Sequence, residues 1–215
     1  MLGRRIMSNQ SAIFAAEPAI AGCVFTAPVG TPRPQMPNPF AALDAAFAEL
    51  GDVGDDGFVE KTDRKTDKKR NFGGNVVKVT QSEFGITVEF TLLESLNAEV
   101  LRSVYGDQNV TVAAATETSG TIIEVCKNSK RLLRKEWVID TIDSSLGAGE
   151  ANPARWRSYI GEGQIIDTGD VKIVHTDTIE YKVTVECFKD AEGQFMRTWT
   201  DDGVVGKSRS VKNAA

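Results

Sequence analysis

Strict alternation of apolar and polar residues is the feature that most restricts what this chain can fold into. In "FGITVEFTLL", Ile86, Val88, Phe90 and Leu92 fall on one face, and Thr87, Glu89 and Thr91 on the other. A period of two suits a strand buried on one side only. "TIIEVC", "EWVIDTID", "ARWRSYIGEGQII", "VKIVHT" and "IEYKVTVECF" alternate or nearly so, and β-branched and aromatic residues are well represented in them. "NVVKVTQ" reads as one more strand, and "GCVFTAP" as a short first strand ended by Pro28. The class this predicts is mainly β, a β-sandwich or partly closed β-barrel.

Helical periodicity is scarce. "ESLNAEVLRSVYG" repeats apolar residues at Leu96, Val100, Leu101 and Val104. With Ser95 as N-cap and Gly106 as stop, it predicts one packed α-helix over about residues 95–105. "FAALDAAFAELG" places Phe40, Leu43, Phe47 and Leu50 at helical spacing, which predicts a second, short helix. Before it, "VGTPRPQMPNPF" holds four of the seven prolines and is extended and unable to join a sheet interior. "AEG" between "ECFKD" and "QFMRTWT" reads as a hairpin turn, and Gly147, Gly149 and Pro153 mark a loop around 143–153. The organisation expected is a flexible extension over 1–19, a single domain over 20–203 and a flexible tail over 204–215.

Several function classes are disfavoured. Net charge is −5, against the basic excess of a dedicated nucleic-acid binder. "SAIFAAEPAIAGC" imitates a secretory leader, but Glu17 and Pro18 interrupt its apolar run. Met7 is an alternative start, and no stretch is long enough to span a bilayer, so a soluble protein is expected. Cys23, Cys126 and Cys187 are odd in number and contain no CxxC pair, which fits small buried hydrophobes in a reducing compartment. His175 is the single histidine, and GxSxG, HExxH and phosphate-loop patterns are absent. No catalytic residue, cofactor or metal ligand is assigned, and no enzyme activity is expected.

One segment stands apart in composition. "GDVGDDGFVEKTDRKTDKKRNFGG" places Asp52, Asp55, Asp56 and Glu60 before any base, and then six bases against two acids from Lys61 to Arg70. Asp52, Asp56, Glu60 and Asp63 with Gly57 imitate a calcium loop, but Gly54 stands where a ligand is required. A monomeric binding module assisted by calcium at Asp52, Asp56 and Asp63 remains the alternative reading. A phosphate-gripping arm is weakened by its own acids and its lack of stacking aromatics. Asp-Asp-Gly reads as a turn, Gly73-Gly74 as the return hinge, and residues 54–73 as a long charged loop or β-ribbon. Surface ion pairs offer a lone copy little reason to order such a ribbon. Its acidic end facing the basic end of a neighbour would be a head-to-tail contact.

The block "ALDAAFAELGDVGDDGFVEKTDRKTDKKRNFGGNVVKVTQ", then "FTLLESLNAEVLRSVYG", "GQIIDTGDV", "IEYKVTVECF" and "TWTDDG", resembles the major tail protein of long, non-contractile-tailed bacteriophages, especially of actinobacterial hosts. The resemblance covers about residues 20–203 and departs at "RNFGG", where the family's pattern has a tryptophan before the glycines. It implies a structural tail tube subunit of the virion, a β-sandwich joined with its copies into hexameric rings around a continuous β-barrel lumen. The implied partners are the protein itself, a tape-measure protein, tail terminator and distal initiator proteins, and DNA passing without sequence-specific binding. It further implies that the long loop reaches an adjacent subunit or ring. Carried onto this chain, that role falls on Asp55, Asp56, Lys61, Arg64, Lys65, Asp67, Lys68, Lys69 and Arg70. A lumen of negative potential would repel the phosphate backbone.

Overall fold

The computed structural model describes residues 12–19, 22–146 and 152–205. Residues 147–151 of the loop expected around 143–153, and all but two residues of the tail at 204–215, lie outside them. The strands are β1 (Glu17–Pro18), β2 (Val24–Pro28), β3 (Ala48–Glu49), β4 (Val59–Arg70), β5 (Val76–Leu92), β6 (Val110–Ala113), β7 (Ile122–Val125), β8 (Lys135–Asp143), β9 (Ala154–Thr168), β10 (Tyr181–Phe188) and β11 (Arg197–Asp201). Among the described residues one α-helix, α1 (Ala98–Tyr105), leads through a 3-10 turn into β6. The mainly β class with one short packed helix and a long charged ribbon is what the chain adopts.

Nine strands form one antiparallel sheet along the path β3-β2-β8-β9-β10-β5-β4, while β6 and β7 pair separately. Two strands continue lines already begun. β1 follows β2 along β8, and β11 follows β10 along β9. β1 lies inside the segment read as an N-terminal extension, and its Glu17 stands opposite Ile142. The sheet curls without closing. After β3, Leu50 N–H donates to Val24 O at 2.9 Å, Val53 bridges to Leu92, and Gly54 N–H donates to Thr91 O at 2.9 Å. This short crossing brings the two ends of the path together.

The main core fills the inside of the curl. Val88, Phe90 and Leu92 of β5 meet Val183, Val185 and Cys187 of β10, Trp137 of β8 and Ile160 of β9. The helix seals one end with Val100, Leu101 and Val104. A second cluster of Ala27, Phe47, Val138 and Tyr159 lies apart from it, with Phe25, Leu43 and Trp199 packed around it. Residues on both faces of β8 are therefore covered, which explains why its burial is nearly continuous.

Five expectations are corrected. Residues 40–50 form turns and β3 rather than a helix. Phe47 belongs to the second cluster and Leu50 to the main core, so the chain must stay extended to reach both. Burying each contributes roughly 1.5–3 kcal/mol, more than the few tenths per residue that helix propensity offers. Second, "VKIVHT" is no strand: it lies in the connection between β9 and β10, which pair directly with each other, and its Ile173 and Val174 are exposed. Third, the "AEG" turn joins no hairpin, since β10 and β11 lie end to end on β9. Fourth, α1 is capped by Asn97, whose Oδ1 accepts from Glu99 N–H at 2.9 Å, while Ser95 lies in the preceding turn and Leu96 is exposed. Fifth, Cys126 is exposed at the end of β7, whereas Cys23 and Cys187 are buried.

Candidate assembly interface

"NVVKVTQ" and "FGITVEFTLL" join into the single 17-residue strand β5. Its second half alternates into the core. Its first half pairs with β4 and carries on past the core. Twelve β4 residues are registered against β5, from Val59 opposite Glu89 to Arg70 opposite Val76, with irregularities after Lys65 and Lys69. All twelve are exposed. At about 3.3 Å per residue the ribbon reaches roughly 36 Å from its base.

Both ends of the ribbon are tight reversals. At the base, Gly57 takes φ +63° and donates its N–H to Gly54 O at 2.9 Å, so Asp55 and Asp56 sit on a turn. At the tip, Gly74 takes φ +83° and donates to Asn71 O at 2.9 Å, and Asn71 N–H donates to Asn75 O. Only glycine adopts these positive φ values without strain.

The charges divide along the length. Near the base, Lys61 pairs with Glu89, Lys65 pairs with Glu83 at 2.5 Å, and the Arg64 guanidinium lies 4.8 Å from the Phe84 ring centre. The hydrogen bond from Lys61 holds the Glu89 carboxyl below its ordinary range, and the hydrogen bond to Glu83 raises the Lys65 ammonium. Arg70 turns inward to Gly74 O at 2.8 Å. Asp67, Lys68 and Lys69 find no side-chain partner among the described residues, and neither do Asp55 and Asp56 at the base turn. The ribbon is thus paired along its lower half, acidic and free at the turn below it, and mainly basic and free towards its tip.

The nine residues read from the sequence are brought onto this one projecting element, although the two aspartates sit at its foot rather than along it. Asp52, Asp56 and Asp63 are not gathered into a cation site, and no group of three or more His, Cys, Asp or Glu side chains is so placed among the described residues. Sequence reasoning missed the apolar tip, where Phe72, Val77 and Val79 are exposed. The aromatic residue inside "NFGGN" was the available signal. It also missed a cleft of about 730 Å³ beside the base turn, walled by Phe14, Phe58, Trp156 and Met196. Burial, and then the Asp52 carboxylate, push the thiol of Cys23 in this cleft up to about 11.

The phage tail tube protein family matches residues 7–209 of the chain. The chain belongs to this family. Membership makes the protein a structural, non-enzymatic component of the phage tail and implies self-assembly and tail partners. No curated protein matches the chain. Among solved structures, the anti-feeding prophage cap, a tube terminating cap, is similar at 9% identity with a TM-score of 0.42, over 92% of this chain and 99% of that one. Among the described residues no helix is long and apolar enough to cross a membrane.

Proposed function

We propose that copies of this chain form hexameric rings that stack into the tube of a long, non-contractile tail of the actinobacterial-phage type. The tube surrounds a tape-measure protein, ends on terminator and initiator proteins, and lets DNA pass. The β4–β5 ribbon reaches an adjacent subunit or ring through Asp55, Asp56, Lys61, Arg64, Lys65, Asp67, Lys68, Lys69 and Arg70. The observation that carries this reading is the ribbon itself. A two-stranded element with twelve exposed residues on β4 and unpaired charges of opposite sign at its two ends has little to stabilise it in a lone copy. The acidic balance of the chain suits a conduit that must not hold a polyanion.

The test is negative-stain microscopy of the concentrated protein beside a variant whose segment Lys65–Glu83 is replaced by an Asn-Gly turn. Removing both strands together keeps the remaining register matched, which deletion of 61–70 alone would not. The wild type is expected to form tubes or hexameric rings, and the truncated chain to keep the wild-type thermal transition without assembling. Normal tubes from the truncated chain would sink the role of the ribbon. A wild-type protein that stays monomeric even beside its tape-measure and initiator proteins would sink the tube reading as a whole.

A further inference from the structure

We propose that the tip of the ribbon, anchored by Phe72, docks in the cleft beside the base turn of a neighbouring copy; this rests on the ribbon contacting a neighbour, as above. Two unlike surfaces on one molecule carry the inference. At the tip, Lys68 to Val79 holds four bases and no acid. Phe72 is fully exposed there, and Val77 and Val79 are 62% and 55% exposed. A large apolar side chain ringed by positive charge, held on a tight turn, is shaped to enter an apolar recess with a negative rim.

The cleft answers each of those features. Phe14 and Trp156 stand at 5.9 Å between ring centres within it, and Trp156 is 41% exposed. Glu17, Asp52, Asp55 and Glu60 contribute to its lining, and no lysine or arginine does. Four bases on the tip thus face four acids on the receptor. Asp52, Asp55 and Glu60 form no ion pair among the described residues, so a partner need displace none.

A tip cannot fill its own cleft. The cleft includes Phe58 and Glu60, at the foot of the same ribbon, and twelve registered β4 residues hold the tip roughly 36 Å away. The occupant is therefore the tip of a second copy. Because tip and cleft are different surfaces, the contact is heterologous and each copy offers one of each. An assembly built this way is polar, with unfilled clefts at one boundary and free tips at the other.

Two full-length variants test this by sedimentation velocity and electron microscopy, with thermal unfolding as the folding control. Phe72→Asp disables the tip, and Asp55→Lys with Glu60→Lys reverses the rim; all three positions are exposed. Each variant alone is expected to need at least a tenfold higher concentration to assemble. Mixed in equal amounts, they are expected to give discrete one-to-one pairs, since one supplies an intact tip and the other an intact cleft. Loss of assembly by Phe72→Asp with normal assembly of the rim variant would overturn the docking site but keep the ribbon as a contact. Normal assembly by both would overturn both readings. Mixtures that stay unpaired would overturn the proposal.

Discussion

Arg157 is a buried cation whose loss should destabilise this fold. It projects from β9, and its guanidinium donates through Nη1 to Pro39 O and Ala41 O, both at 2.9 Å, and through Nη2 to Asp140. Only 7% of its side chain and 15% of that of Asp140 remain exposed. Arg157→Ala leaves a largely buried carboxylate without its partner, a change that costs about 3–5 kcal/mol. It also orphans two carbonyls of the irregular 31–47 segment, each worth about 1 kcal/mol where water cannot replace the donor. Nε is buried without a partner, so a small part of the present arrangement is already unfavourable and the lower half of that range is expected. For a chain of this size, about 3 kcal/mol corresponds to a fall in Tm of roughly 6–12 °C. The assay is urea and thermal unfolding followed by circular dichroism, at concentrations below assembly because association raises apparent stability. A cycle with Asp140→Ala should show a coupling of at least about 1 kcal/mol. A loss below about 1 kcal/mol for Arg157→Ala, or additive effects in the cycle, would refute the view that this guanidinium pins the segment to the sheet.

Two further outcomes follow from particular contacts. A Cβ on Gly163 would lie 2.6 Å from Trp137 Cδ1 and 2.9 Å from Val185 Cγ1, so Gly163→Ala should destabilise by about 1–3 kcal/mol; an unchanged urea midpoint would contradict this packing. Burial raises the Glu136 carboxyl above its ordinary 4.5, against the hydrogen bonds from Gly30 N–H and the Tyr159 hydroxyl. From pH 4.5 upward the folded chain therefore binds more protons at this site than the unfolded chain, and this contribution to stability falls as pH rises through the folded value. Glu136→Gln removes the slope, so its stability relative to wild type should improve as pH is raised through that window; a constant or declining difference in urea midpoints would count against it.

The elements legible in the sequence are those whose partners leave a periodic imprint. Val88, Phe90 and Leu92 alternate because the core lies on one side of β5, and the helix shows itself because Val100, Leu101 and Val104 face one way. What stayed hidden depends on contacts between distant residues. The path of residues 31–50 is decided by Arg157, by the second cluster and by Leu50, none of which alters the local pattern of "FAALDAAFAELG". "VKIVHT" nearly alternates, yet near-alternation in a connection does not by itself supply a partner strand. The charged ribbon was visible as composition, but its division into paired and free charges was not. That division depends on register, and the irregularity after Lys65 decides which β5 side chains stand beside which bases.

The pattern on β4 also bears on which contact a second copy can make. β4 ends the sheet path, so its outer backbone edge is open over twelve residues, a length that invites edge-to-edge pairing. Antiparallel pairing of two β4 edges about their midpoint would set Lys61 against Lys68 and Arg64 against Lys65, each twice by symmetry. Only Glu60 against Lys69 would offset them. Parallel in-register pairing is worse, because every charge then meets its own copy. Like charges directly opposite cost roughly 0.2–1 kcal/mol per pair, so both symmetric arrangements start at a loss. The free acids at the foot and the free bases near the tip suffer no such conflict when one copy is displaced along the ribbon relative to the next. The same charges that guard the open edge against symmetric pairing therefore favour the head-to-tail contact, which is the one that can propagate.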